Sequence, residues 1–234
     1  MLINTDRFKI SPPCPVFRFQ KAGSWPHISA DLYAPFMKPT PEIIRCGWCS
    51  KDQIYIDYHD KEWGVPLHED KSLFEMLILE GAQAGLSWIT ILKRREGYRK
   101  AFDRFDAAKI IRYKEDKIMA LMQDEGIIRN ELKIRSVITN AKAYLATQKE
   151  FGTFDNYIWQ FTDYGSIVNH YHDHKEIPAV TPEAEAMSKS LQKKGFKFTG
   201  ATICYAFMQA TGMVDDHIDS CWKRKHAEPL LLNL

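Results

Sequence analysis

The sequence predicts an all-α domain over residues 43–225, and three observations carry the prediction. Apolar residues recur at helical spacing in segment after segment, capping-type residues stand ahead of those segments, and alternating strand patterns are scarce. Neither an internal repeat nor a low-complexity stretch interrupts the domain.

Each helix has its own local signal. Asp70 or Ser72 is placed to cap KSLFEMLILEGAQ, in which Leu73, Leu77 and Glu80 fall at helical spacing. Ser87 precedes WITILKRREGYRKAF, where Trp88, Leu92 and Phe102 suggest a buried stripe, and Asp106 opens a third helix. KEDKIMALMQDEG forms a fourth, with Gly126 at the position past its end where a left-handed residue is wanted. After a very short gap comes NELKIRSVITNAKAYLATQKEFG, followed by FDNYIWQF. TPEAEAMSKSLQKKG has Pro182 in its first turn and Gly195 as its stop. GATICYAFMQATG is the last long apolar helix, and DDHIDSC follows it directly.

Ahead of the domain, residues 1–42 hold Pro12, Pro13, Pro15, Pro26, Pro35, Pro39 and Pro41 without sustained periodicity. They read as an extended or poorly ordered N-terminal extension, and residues 226–234 as a C-terminal tail. With 45% hydrophobic and 12% aromatic residues, the 234-residue chain has ample material for a core. A formal net charge of +2 neither demands nor excludes a nucleic-acid partner, since a local basic face serves on a nearly neutral protein. No apolar run reaches membrane-spanning length and MLINTDRFKISPPCPVF lacks the pattern of a secretory signal, so the expected location is the cytoplasm.

Five cysteines, at 14, 46, 49, 204 and 221, are too sparse for a disulfide scaffold and suit reduced thiols that bind metal. In DDHIDSC, His217 and Cys221 stand four apart, a separation that puts two side chains on one helix face. Their candidate partners lie at the opposite end of the domain, in RCGWCSKDQIYIDYHDKEWG. Cys46 and His59 would complete a set of two thiolates and two imidazoles, which suits a closed, structural zinc site joining the termini. Cys46 and Cys49, a C-x-x-C pair, would complete a rival set, and spacing does not choose between the two. His170, His172 and His174 read as a solvated loop.

One carboxylate stands out in LFEMLILEGAQAGLSWITIL. A carboxylate buried without a partner costs several kcal/mol, so Glu80 is paired, exposed at its helix end, or held for chemistry. Trp48, Tyr55, Tyr58, Trp63 and Trp88 lie within forty positions of one another around it. Aromatic faces about one carboxylate make a pocket for a flat, cationic heterocycle.

The stretches RCGWCSKDQIYIDYHDKEWGVP, LFEMLILEGAQAGLSWITILKRRE, DEGIIRNELKI, KKGFKFTGATICYAFMQATG and DDHIDSC together resemble the bacterial 3-methyladenine DNA glycosylase I family. The match runs in order from about Arg45 to Cys221. It implies the all-α helix-hairpin-helix glycosylase fold, a monomer acting on double-stranded DNA, and a base-excision reaction on alkylated adenine. It also implies Cys46, His59, His217 and Cys221 as the ligands of one structural zinc, which decides against Cys49. Glu80 is implied as the catalytic reader of the base, Trp88 as its stacking partner, and Trp48, Tyr55, Tyr58 and Trp63 as the pocket lining. Gly85 and Leu86 match the segment that enters the DNA, and residues 121–134 match a phosphate-holding hairpin with Gly126, Arg129 and Lys133. Two departures stand out: the hairpin carries only Gly126 where many superfamily members carry two glycines, and no catalytic aspartate or lysine follows it. The alternative from another class is a non-catalytic, zinc-stapled module that binds damaged DNA.

Overall fold

The protein is described by a computed structural model that covers residues 43–49 and 51–225. The expected extension 1–42 and tail 226–234 lie outside the described residues. Among the described residues the fold is helical, with a single two-strand pairing.

The first helix, α1 (Gln53–Lys61), is capped by Asp52, whose side chain accepts from the Ile54 amide. Its short apolar periodicity gave no helix in the sequence reading. Next, α2 (Asp70–Gln83) is capped by Glu69, whose carboxylate accepts from the Lys71 and Ser72 amides at 3.2 and 2.6 Å. Neither expected cap, Asp70 nor Ser72, has that role. The Asp70 carboxylate instead takes the Phe154 and Asp155 amides, both at 2.8 Å, and so caps a helix 84 positions away. α2 buries ten consecutive residues, Leu73 to Ala82, and is the centre of the core.

The single helix expected after Ser87 is two, α3 (Trp88–Leu92) and α4 (Arg95–Ala101). The change of direction lets Arg95 and Arg99 reach Glu75 of α2, each at 2.7 Å. α5 (Ala107–Ile110) is capped by Asp106 as expected. α6 (Glu115–Leu121) stops before Gly126, which belongs to the following turn rather than to the helix end. Asn130 then caps α7 (Glu131–Phe151), and α8 (Phe154–Trp159) follows it. α9 (Pro182–Lys193) has Pro182 in its first turn and Gly195 beyond its end at φ +92°. α10 (Ala201–Ala210) packs between α9 and α2, and α11 (Trp222–Lys225) closes the described chain.

DDHIDSC is not helical. Val214–Asp215 forms β2, parallel to β1 (Ile167–Val168), and the chain then turns with the Asp215 carboxylate accepting from the His217 amide at 3.1 Å. That side-chain bond offers the backbone an alternative to a helix. The Trp222 amide reaches the Ile44 carbonyl at 2.9 Å, tying the last turn to the first described residues.

Candidate functional site: a buried Cys/His group beside an aromatic pocket

Cys46, His59, His217 and Cys221 offer one ligand atom each, all within 4.8 Å of one another, and each is at most 2% exposed. Cys46 Sγ lies 3.5 Å and Cys221 Sγ 3.6 Å from His217 Nδ1, and Cys221 Sγ lies 3.6 Å from His59 Nε2. Two thiols and two imidazoles at such separations are a donor set that can hold a metal ion. His217 and Cys221 converge through a turn, not along a helix face. Hydrogen bonds from Cys46, His217 and His59 pull the Cys221 thiol well below its ordinary value. Behind His59, the Asp60 carboxylate faces its Nδ1 at 2.7 Å and also takes the Arg45 guanidinium and the Trp222 indole. Such a second layer fixes an imidazole's orientation and tautomer. Cys49 stands apart from this group, its thiol donating to the Tyr55 carbonyl at 3.8 Å.

Trp48 and Trp63 form the partition between this group and a cavity of about 170 Å³. The Trp63 ring meets His217 edge-on at 4.6 Å and Trp48 at 5.0 Å. Five aromatic residues expected at the pocket line it together: Trp48 ahead of α1, Tyr55 and Tyr58 within it, Trp63 beyond it, and Trp88 at the start of α3. The sequence reading missed four other lining residues, Gln83, His174, Ala206 and Gln209. The sequence places His174 in a solvated loop. It remains exposed, yet it borders the cavity from a 3-10 turn held by the Asp173–Glu176 capping box.

The two glutamates of α2 contrast sharply. Glu75 is held by Arg95 and Arg99, which offset the cost of burying it. Glu80 is 2% exposed, lines the cavity, and its Oε2 has no hydrogen-bond partner among the described residues. Burial pushes its carboxyl up to about 8. The indole nitrogens of Trp48 and Trp88 are likewise buried without partners. Burial also holds the Tyr58 phenol well above its usual range, with Glu80 nearby adding to the effect. A buried acceptor without a donor, ringed by aromatic faces, is arranged for an occupant that brings hydrogen-bond donors and positive charge.

Past α2 the chain turns through Gly85, at φ +78°, to Leu86, which is 40% exposed. Lys133, at the start of α7, points toward this turn: its ammonium donates to the Ala82 and Ala84 carbonyls at 2.8 and 2.7 Å. Gly126, in the turn after α6, packs on α4 so closely that a Cβ on Gly97 would lie 2.1 Å from its carbonyl oxygen. The Ile128 amide, donating to the Tyr98 hydroxyl at 3.2 Å, fixes the same contact. Arg129 is half exposed.

A profile of the methyladenine glycosylase family matches residues 48–225. The DNA-3-methyladenine glycosylase 1 of Escherichia coli (strain K12) is 50% identical over 177 residues, covering 76% of this chain and 95% of that protein. The DNA-3-methyladenine glycosylase of Haemophilus influenzae is also 50% identical, over 76% of this chain and 96% of its own length. A crystal structure of 3-methyladenine DNA glycosylase I superimposes with a TM-score of 0.75 at 48% identity, covering 76% of this chain and 98% of that one. The Staphylococcus aureus enzyme, solved for its recognition of 3-methyladenine, gives 0.75 at 33% identity, over 77% of this chain and 96% of that one. The chain therefore belongs to the methyladenine glycosylase family.

Proposed function

We propose that the protein removes 3-methyladenine from alkylated DNA, taking the flipped base into the aromatic cavity beside Glu80. The observation that carries this reading is the buried, unpartnered Glu80 Oε2 on the cavity wall. The N3-alkylated adenine of DNA is cationic and carries an exocyclic amine. It supplies both the charge and the donor that the pocket lacks. Extrusion from the duplex costs a few kcal/mol and is cheapest for a damaged base, so entry itself selects. Trp88 stacks on the ring, with Trp48, Tyr55, Tyr58 and Trp63 enclosing it.

In the reaction the C1′–N9 bond breaks with both electrons passing to N9, which cancels the positive charge of the base. Water adds to the oxocarbenium-like sugar carbon and loses a proton, leaving an abasic site and free 3-methyladenine. An ionised Glu80 stabilises the bound cation and orients it through the amine. No general base is assigned. The cation is already a competent leaving group, which suits a chain whose hairpin is followed by no catalytic aspartate or lysine.

The reading extends to the frame. Residues 121–134 act as the helix-hairpin-helix element, with Gly126 and Arg129 at the phosphate of double-stranded DNA. Lys133 contributes by holding the turn from which Leu86 fills the vacated stack. Cys46, His59, His217 and Cys221 hold one zinc ion, whose role is to fasten the two ends of the domain. Four protein donors leave no position for a catalytic water. The reading takes the protein as a monomer that acts on cytoplasmic DNA.

The test is base release from methylated duplex DNA, with Glu80→Gln beside the wild type. Free 3-methyladenine from the wild type, and a large loss in a variant that still binds DNA, are the expected results. Binding without release by the wild type would instead leave a damage-binding module.

A further inference from the structure

Asp216 is fully buried, adjacent to the metal-group residue His217, and unused by the reading above. Its carboxylate accepts from three donors: Asn169 Nδ2 at 2.8 Å, Tyr205 hydroxyl at 2.6 Å and Gln209 Nε2 at 2.7 Å. Gln209 is a half-buried residue in the last turn of α10 and lines the cavity that Glu80 lines from α2, against which α10 packs. A carboxylate accepts hydrogen bonds and has none to give, so the amide must turn its nitrogen toward Asp216. The carbonyl oxygen, Oε1, then faces away from that carboxylate.

We propose that Gln209 Oε1 is a second hydrogen-bond acceptor for the bound base, held in that orientation by Asp216 as a positioning residue. The proposal rests on the cavity being the base pocket. With Glu80 on one wall and Gln209 on another, the cavity offers acceptors from two directions. The exocyclic amine of adenine carries two N–H bonds and satisfies both. Guanine has a carbonyl oxygen at that position, which meets the same acceptors without a proton to share. Gln209 thereby sets the choice of 3-methyladenine over 3-methylguanine. Among the described residues the buried Asp216 carboxylate is held by three neutral donors and by no cation, which leaves it free to fix amide orientation.

The experiment is single-turnover release of 3-methyladenine and 3-methylguanine from one methylated duplex, with metal content and melting temperature recorded for each variant. Gln209→Met keeps the side-chain length and leaves Asp216 its Asn169 and Tyr205 donors. It is expected to lower the ratio of 3-methyladenine to 3-methylguanine release about tenfold, the usual scale for losing one hydrogen bond to a substrate. Asp216→Asn gives the Gln209 amide a neighbour that can donate as well as accept. The ratio should fall in the same direction, with metal content unchanged. A role in stability alone would slow both releases together and leave their ratio untouched, and a Gln209→Met ratio within twofold of wild type overturns the proposal. Should Asp216→Asn fail to fold, Gln209→Met decides alone. Glu80→Gln separates the two layers of argument: unimpaired release from it would overturn the pocket reading, whereas its loss beside an unchanged Gln209→Met ratio would overturn only the role of Gln209.

Discussion

The Cys/His group and the aromatic cavity are neighbours that share Trp48 and Trp63, yet they are built on opposite principles. In the first, every member has a nearby partner, and a second layer of Asp60, Arg45 and Trp222 supports His59. In the second, one carboxylate oxygen and two indole nitrogens are buried without a hydrogen-bond partner among the described residues. A satisfied group holds a structure together. An unsatisfied one stores binding capacity at the expense of stability, and the first region compensates for the second.

The hardest test of that contrast is removal of a metal-group residue. Structural zinc contributes about 10–16 kcal/mol in small zinc peptides at neutral pH, so even a fraction of that is decisive here. His217→Ala should lose bound metal and melt more than about 10 °C lower, read by elemental analysis and calorimetry. Retention of both metal and melting temperature would remove this group from the account of stability.

Glu80→Gln is next, and it should move the two properties in opposite directions. Base release should fall by about 10²–10³, the range seen when a single electrostatic contact to a transition state is lost. Stability should rise with a defined pH dependence. At pH values below 4.5 both folded and unfolded chains hold the proton, and the buried carboxyl costs little. Between there and about 8 only the unfolded chain releases it, so stability is lost across that window and levels off above it. The advantage of the variant over wild type should therefore grow from pH 5.5 to 8.5, by up to a few kcal/mol. Equal melting temperatures at both pH values would argue that Glu80 is solvated.

Trp63 belongs to both regions and probes the wall itself. Its ring touches the cavity and His217, while its carbonyl lies 3.2 Å from His217 Nε2. Trp63→Leu should weaken binding of free 3-methyladenine and speed metal loss to a chelator, each severalfold. An effect on one alone would show that the regions are independent.

The smallest expected effect belongs to Lys133, which touches neither region directly. Lys133→Met leaves two carbonyls at the end of α2 without their donor, worth about 1 kcal/mol. Release from duplex DNA should slow severalfold, while affinity for the free base stays level. A matching loss for the free base would place Lys133 in the pocket's support instead.

How much of this was legible in the sequence depends on the range over which each signal acts. Cys46 and His217 could be matched across 171 positions because cysteine and histidine are few and have chemistry in common. The aromatic lining was legible because Trp48 to Trp88 lie within one stretch. Gln209 and Ala206 were not, since nothing local distinguishes a cavity-facing residue of α10 from one packed on α9. The inward turn of Lys133 was hidden too. A lysine beside a hairpin looks basic and exposed until α2 places bare carbonyls within its reach. Caps failed at Asp70 for the same reason, its partners being the distant amides of α8.

The adjacency of Asp216 and His217 carries one more consequence. Consecutive residues serve different compartments, one toward the wall of the cavity and the other toward the Cys/His group. A slip of one position in one direction would deliver an imidazole where an amide must be oriented and Ile218 among the thiols, and a slip in the other would deliver a carboxylate among the thiols. Alignment along this segment is thus fixed twice over, by two unrelated chemistries, so an insertion or deletion of one residue here would disturb both compartments.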